Sequence, residues 1–299
     1  MKLKIQDSFR TQPDPYIFED NGNFYLYVTG KHAVEMYRAK NPFGEWDYCG
    51  GVCAVEGGTD YWAPCVIRTG GKYYMYFSYA CPEQALCVAE ADSPEGPFVF
   101  RKKLLNVFSI DAHAVENETG LYLFYAKDDR NGAVIGSKIF VDRLIDPYTL
   151  ANEPVEVVTP SLDEEIFKRN RFGDGRDWYT VEGPFYFREG AYHYLIYSGG
   201  CFENESYHLG YAYAKDEGSD LTKLHFKKYS DEHGFTPLLF KNEQEEGTGH
   251  NSLLHYGGRY YIVYHGRDLG SVAEASGGMR TARICGLKIH DDALEAERM

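Results

Sequence analysis

A glycine turn followed by an alternating aromatic run recurs five times along the chain. The copies are GNFYLYVTG from Gly22, GKYYMYFSY from Gly71, GLYLFYAKD from Gly120, GAYHYLIYS from Gly190 and GRYYIVYHG from Gly258. Their glycines are 49, 49, 70 and 68 residues apart. Each run has period two and predicts a strand entered from a hairpin turn. A second strand-like segment follows most copies, at residues 34–38, 85–89, 134–139 and 209–214. A third precedes each copy, at residues 16–18, 66–68, 114–115, 185–187 and 253–255. Three strands and an outer fourth in a unit of roughly 40–50 residues is the period of a β-propeller blade. Five units predict an all-β, five-bladed β-propeller, with a β-sandwich of aromatic hairpins as the competing architecture.

The two longer intervals require insertions. Ser161-Leu162-Asp163-Glu164 has the pattern of a helix-opening capping box. Residues 171–178 (RFGDGRDW) are rich in turn formers, and residues 241–249 (KNEQEEGTG) read as a charged loop. No linker separates two halves, so residues 1–299 are expected to form one catalytic domain.

Composition narrows the function classes. With Tyr 26, Phe 18 and Trp 3, 16% of residues are aromatic, and the excess of Tyr points to rings with a wet hydroxyl end, suited to strands and sugar-binding surfaces. Lys plus Arg 31 against Asp plus Glu 45 gives a net charge of −14, which repels phosphate backbones and anionic lipid. Neither nucleic acid nor membrane is therefore an expected partner. No window approaches the roughly 18 apolar residues of a membrane span. The opening Met1-Lys2-Leu3-Lys4-Ile5-Gln6-Asp7 lacks the apolar core of a signal peptide, which gives a cytoplasmic location as the expectation. Cys49, Cys53, Cys65, Cys81, Cys87, Cys201 and Cys285 are an odd set with no CxxC, and are expected to be buried free thiols. No phosphate loop or dinucleotide fingerprint is present, and no required cofactor is expected.

Polar residues recur about eight positions upstream of the turn glycines. They are Asp14 in PDPYIF, Asp111 in SIDAHAV, Glu182 in VEGPFYF and His250 in GTGHNSL, with Trp62 in YWAPCV at the corresponding place in the second unit. If each precedes the same inner strand, all five meet at one end of a central channel. Taken singly, Asp14 before Pro15 is a turn former, Asp111 a strand-end cap and Glu182 a loop carboxylate; the shared register is what argues for function. Three convergent carboxylates repel one another, so a fold seldom gathers them without a use for their shifted pKa values. Inverting glycoside hydrolysis is such a use, because it needs one carboxylate to activate water and one carboxylic acid to protonate the leaving oxygen.

These motifs resemble glycoside hydrolase family 43, five-bladed propellers that hydrolyse arabinose- and xylose-containing glycans with inversion. The resemblance implies that Asp14 is the general base, Glu182 the general acid, and Asp111 the residue that orients the acid and modulates its pKa. On this reading the charges of Asp111 and Asp14 raise the pKa of Glu182. YWAP at 61–64 and GHNS at 249–252 resemble the family's blade-two and central His motifs, and 278–284 (GMRTARI) resembles a late segment whose Arg280 contacts sugar hydroxyls. Trp62 would then provide an apolar wall. Cys65 after WAP and Ala112 after Asp111 depart from many relatives. The expected activity is an exo-acting α-L-arabinofuranosidase on short arabino-oligosaccharides, with the 171–178 and 241–249 insertions closing the channel end into a pocket. A β-xylosidase on the same scaffold and a non-catalytic sugar-binding propeller are the alternatives. Among weaker candidates, His250 could ligate a calcium or sodium ion, or simply hold water. His113 could touch substrate, and Asp174 and Asp177 could extend the rim beside Trp178.

Overall fold

The computed structural model describes residues 1–6, 10–215, 218–231, 234–271 and 279–299. Among them there is no α-helix; the helical pieces are two 3-10 turns, Asp163–Glu165 and Leu221–Lys223. Each aromatic run is the second strand of a four-stranded antiparallel blade. Blade 1 comprises Tyr16–Asp20, Asn23–Val28, Val34–Ala39 and Glu45–Cys53, and blade 2 comprises Thr59–Thr69, Lys72–Ala80, Gln84–Ala91 and Val99–Lys103. Blade 3 comprises Ser109–Asn117, Gly120–Asp129, Ile135–Asp146 and Val155–Val158. Blade 4 comprises Trp178–Glu189, Tyr192–Gly199, His208–Lys215 and the short Lys227–Lys228, and blade 5 comprises Glu245–Tyr256, Arg259–Asp268, Thr281–His290 and Ala293–Glu297.

Five apolar clusters hold the blades in a ring, one between each pair of neighbours. They join blades 1 and 2, 2 and 3, 3 and 4, 4 and 5, and finally 5 and 1. The aromatic runs serve two clusters at once, because successive side chains point to opposite faces of a strand. In blade 1, Tyr25 and Tyr27 pack toward blade 2 while Phe24, Leu26 and Val28 pack toward blade 5. In blade 4, Leu195 and Tyr197 face blade 3 while Tyr194 and Ile196 face blade 5. The runs are thus apolar on both faces, which is why they read as nearly continuous aromatic stretches. Tyrosine suits this position because its ring fills the gap while its hydroxyl reaches a carbonyl at the edge. Tyr27 donates to Pro94 O at 2.5 Å and Tyr76 to Pro147 O at 2.9 Å.

The ring closes through the first residues. Ile5 runs parallel to Trp46 of blade 1, and Lys2 bridges Arg283 of blade 5. Leu3 N donates to Ala282 O at 2.9 Å from the same segment.

The insertions differ from their sequence patterns. The expected capping box makes only the 3-10 turn Asp163–Glu165; its cap is Leu162, and the carboxylate that reaches back is that of Glu165, which accepts from Ser161 N at 2.6 Å and Leu162 N at 3.1 Å. Residues from Glu245 onward are strand, not charged loop. Glu245 is buried there against Arg283 at 3.0 Å and Arg298 at 2.8 Å. All seven cysteines are free, but Cys49 and Cys81 are exposed rather than buried, because each lies at a blade's outer edge or in a turn.

Candidate active site

Every blade has a left-handed residue at the same place, just before or within the first strand. The φ angles are 54° at Asp14, 47° at Ala63, 62° at Asp111, 59° at Gly183 and 48° at His250. In blades 2 to 5 the pairing with the second strand slips at this point, between Trp62 and Cys65, Ile110 and His113, Glu182 and Phe185, and Gly249 and Asn251. Such a bulge bends the strand and re-aims the side chains around it. Four of the five positions are not glycine, and each carries a strain of order 1–3 kcal/mol that the surrounding ring supports.

This repeat corrects the register read from the sequence. Asp14, Asp111 and His250 are equivalent, but Glu182 and Trp62 stand one residue earlier, ahead of Gly183 and Ala63. Both still face the axis. Asp14, Trp62, Asp111, Glu182, His250 and Arg280 surround one cavity of about 130 Å³, completed by Thr29, Ile110, Phe202 and Tyr207. This cavity adjoins a groove of about 450 Å³ over blades 1 and 2, with which it shares Thr29, Trp62 and Arg280.

Asp14 is the most heavily bonded carboxyl. Its Oδ2 accepts from Thr29 Oγ1 at 2.5 Å, and its Oδ1 lies 3.4 Å from Arg280 Nη1, 3.3 Å from His265 Nδ1 and 3.5 Å from His250 Nδ1. Burial alone would raise its pKa, but His250, Arg280 and His265 outweigh burial and hold it well below the usual carboxylate range. Arg280 is the permanent cation among them, because burial pushes both imidazoles down, His265 to about 3. Glu182 is the opposite case. Burial, then the charges of Asp14 and Asp128, lift it to about 7 against the hydrogen bond that Tyr207 OH donates to Oε1 at 2.8 Å. Asp111 is raised well above its ordinary value by burial and by the charges of Glu182 and Asp14, against one hydrogen bond from Gly183 N at 2.9 Å. Burial thus favours a proton on Asp111 as it does on Glu182, and the two carboxyls share one buried neighbourhood.

The weaker candidates fall elsewhere. His113 does not line the cavity; it lies beneath it in the channel, its ring 4.1 Å from that of Phe185 and its Nε2 3.1 Å from Tyr186 O. Asp174 and Asp177 are taken up by ion pairs with Arg176 at 2.7 Å and Arg169 at 2.8 Å. Neither 171–178 nor 241–249 supplies a lining residue; the wall is Phe202, braced by Phe167 with ring centroids 6.1 Å apart. Gly278 lies outside the described residues. Among the described residues no group of three His, Cys, Asp or Glu is arranged to hold a metal ion. Calcium takes six to eight oxygen ligands, so the imidazole of His250 would be an atypical ligand for such an ion.

Sequence reasoning missed Thr29, Ser198, Tyr207 and His265. Three of them share a signal, since Thr29, Ser198 and His265 end the aromatic runs and lie beside the bulges. Asp14 N and His265 Nδ1 are 3.1 Å apart, and His250 N donates to Ser198 Oγ at 2.7 Å.

The profile of the Glycosyl hydrolases family 43 matches residues 8–293. The chain belongs to this family. An extracellular exo-α-(1→5)-L-arabinofuranosidase of Streptomyces chartreusis is 27% identical over 69% of this chain and 62% of its own length. An extracellular endo-α-(1→5)-L-arabinanase 2 of Bacillus subtilis (strain 168) is 25% identical over 85% of this chain and 64% of its own length. The chain thus spans less than two thirds of either relative. A solved thermostable family-43 glycoside hydrolase superposes with a TM-score of 0.82 at 27% identity, covering 98% of this chain and 94% of that one. The five-bladed propeller is therefore the family fold. The cytoplasmic location expected from the opening residues is overturned, since both relatives are named extracellular and point to secretion.

Proposed function

We propose that this chain is an inverting, exo-acting glycoside hydrolase that releases a terminal α-L-arabinofuranose from short arabino-oligosaccharides. The observation that carries this reading is one small cavity holding two carboxyls in opposite states, an ionised Asp14 beside Arg280 and a Glu182 lifted to about 7. Asp14 takes a proton from water as its oxygen bonds to the anomeric carbon. The glycosidic carbon–oxygen bond breaks on the opposite face, and Glu182 gives its proton to the departing oxygen. Solvent then carries the proton from Asp14 back to Glu182. Asp111 can hydrogen-bond a sugar hydroxyl, Arg280 offers further donors, and Trp62 with Ile110 and Phe202 forms apolar walls. Exo action is supported by the size of the cavity, which suits one sugar ring, and by the resemblance to the Streptomyces enzyme.

Nitrophenyl α-L-arabinofuranoside, the matching β-xyloside and debranched arabinan form the test set, with NMR of the first-formed anomer. The expected result is inverted arabinose, preference for the arabinofuranoside and slow attack on the polymer. First release of the substrate's own anomer overturns inversion. A higher kcat/KM for the xyloside makes the enzyme a xylosidase, and mid-chain products from arabinan make it endo-acting.

A further inference from the structure

Behind the cavity wall, Arg267 on the second strand of blade 5 is completely buried. Its Nη2 donates to Phe202 O at 2.5 Å, while Nε and Nη1 have no hydrogen-bond partner among the described residues. Burial and the positive charge of Arg280 push the guanidinium down to about 10, which leaves it charged at neutral pH. A buried arginine is rare unless well paired, and open donors on a buried cation cost stability. The chain nevertheless makes room for it. Gly247 has a φ of 57°, and a Cβ there would collide with Nη1 and stand 3.2 Å from Asn204 O. A Cβ on Gly249 would collide with the ring of Tyr207.

What Arg267 grips is the segment from Cys201 to Tyr207. Phe202 is held at both ends, its carbonyl by Arg267 and its ring by the Arg280 guanidinium, 5.0 Å from the ring centre. The same segment ends at Tyr207, whose hydroxyl meets Glu182 and whose ring stacks on His265 with centroids 5.6 Å apart. We propose that Arg267 is a positioning residue for glycoside hydrolysis, anchoring this segment so that Phe202 walls the cavity and Tyr207 presents its hydroxyl to Glu182. The proposal rests on the reading of Glu182 as the acid.

Kinetics of Arg267→Met, Arg267→Lys, Tyr207→Phe, Glu182→Ala and the Arg267→Met/Tyr207→Phe pair, on dinitrophenyl and phenyl arabinofuranosides, test it. Arg267→Met should lower kcat/KM for the phenyl substrate at least about 10-fold more than for the dinitrophenyl one, because a poor leaving group depends on a well-aimed acid. Its alkaline limb should move up in pH, since Glu182 loses a hydrogen bond that favours its charged form. Residues acting through one another are not additive, so the double variant should match Tyr207→Phe in its leaving-group ratio. Equal losses on both substrates with an unmoved alkaline limb, or a ratio that multiplies in the double variant, overturn the proposal. If Arg267→Met does not fold, Arg267→Lys decides. A ratio shifted at least about 3-fold supports positioning, and a parental ratio overturns it. Glu182→Ala separates the two layers: if it shows no leaving-group dependence the acid reading itself fails, whereas dependence there with none in the Arg267 variants fails the positioning alone.

Discussion

Asp14 and Glu182 line one cavity, yet their surroundings drive them to opposite protonation states. Arg280 stands 3.4 Å from Asp14, whereas Glu182 receives one hydrogen bond from a neutral tyrosine. These environments leave opposite marks on stability. Glu182, raised from 4.5 to about 7, binds its proton more tightly in the folded state. Its contribution to stability is full below the unfolded pKa and is lost as pH rises through the folded one. Glu182→Gln should therefore melt higher than the parent above pH 7 and match it near pH 4, as measured by calorimetry across pH. Asp14 is depressed, so its contribution is present above the ordinary carboxylate range and is lost as pH falls. Asp14→Asn should melt lower at neutral pH and converge with the parent only in strong acid. Melting curves displaced equally at every pH in both variants would contradict these protonation states. Burial pushes Asp111 up, and if that keeps it protonated, Asp111→Asn leaves the alkaline limb of kcat/KM in place. The charge reading from sequence predicts a downward move instead, and a pH profile distinguishes the two.

The left-handed residue in each first strand is the structural unit that makes the site. Its positions were legible as motifs, since DPY, WAP, SID, EGP and GHN each stand about eight residues ahead of a turn glycine. The offset between them was not, because a bulge shifts register by one residue without leaving a compositional trace. Glu182 gains its direction from Gly183, the one glycine among the five. A Cβ on Gly183 would stand 3.2 Å from His250 Nδ1 and 3.3 Å from Ser198 Oγ, at a φ of 59°. Gly183→Ala should cost about 1–2 kcal/mol in stability from the backbone alone. It should also displace Glu182, lowering turnover of poor leaving groups about 10-fold or more while sparing activated ones. Equal kinetics on phenyl and dinitrophenyl substrates would show that the acid tolerates a normal side chain behind it. The insertions were misread for a related reason. Charged residues such as Glu245 looked like loop, but Arg298 and the buried Arg283 pair with it, and only tertiary structure shows that.

Across the whole molecule, the aromatic repeat foretold the number of blades, and the five inter-blade clusters show why. A strand buried on both faces needs large side chains in both phases, so the ring writes itself into the sequence as continuous aromatic runs. The closing seam left no such signature, because it is made by a short segment outside the aromatic repeat. That seam carries the proposed base. Asp14 belongs to blade 1, while His265 and Arg280 belong to blade 5. Further bonds cross between the same two blades, from Ile17 N to Ser252 Oγ at 3.0 Å and from Ser252 Oγ to Pro15 O at 2.8 Å. Leu3 is buried in the cluster that joins them. Leu3→Ala should therefore cost about 2–5 kcal/mol, the range for removing a buried leucine. Its kinetic mark should differ from that of Gly183→Ala. Loosening the seam moves Asp14 away from Arg280 and His265 and leaves Glu182 in its own blade, so kcat/KM should fall by the same factor for phenyl and dinitrophenyl arabinofuranosides. Melting temperature and the two rate constants, measured on one preparation, decide the matter. A Leu3→Ala enzyme that is less stable but fully active at low temperature would show that the base is held by blade 1 alone, and a loss confined to the phenyl substrate would place the damage at the acid instead.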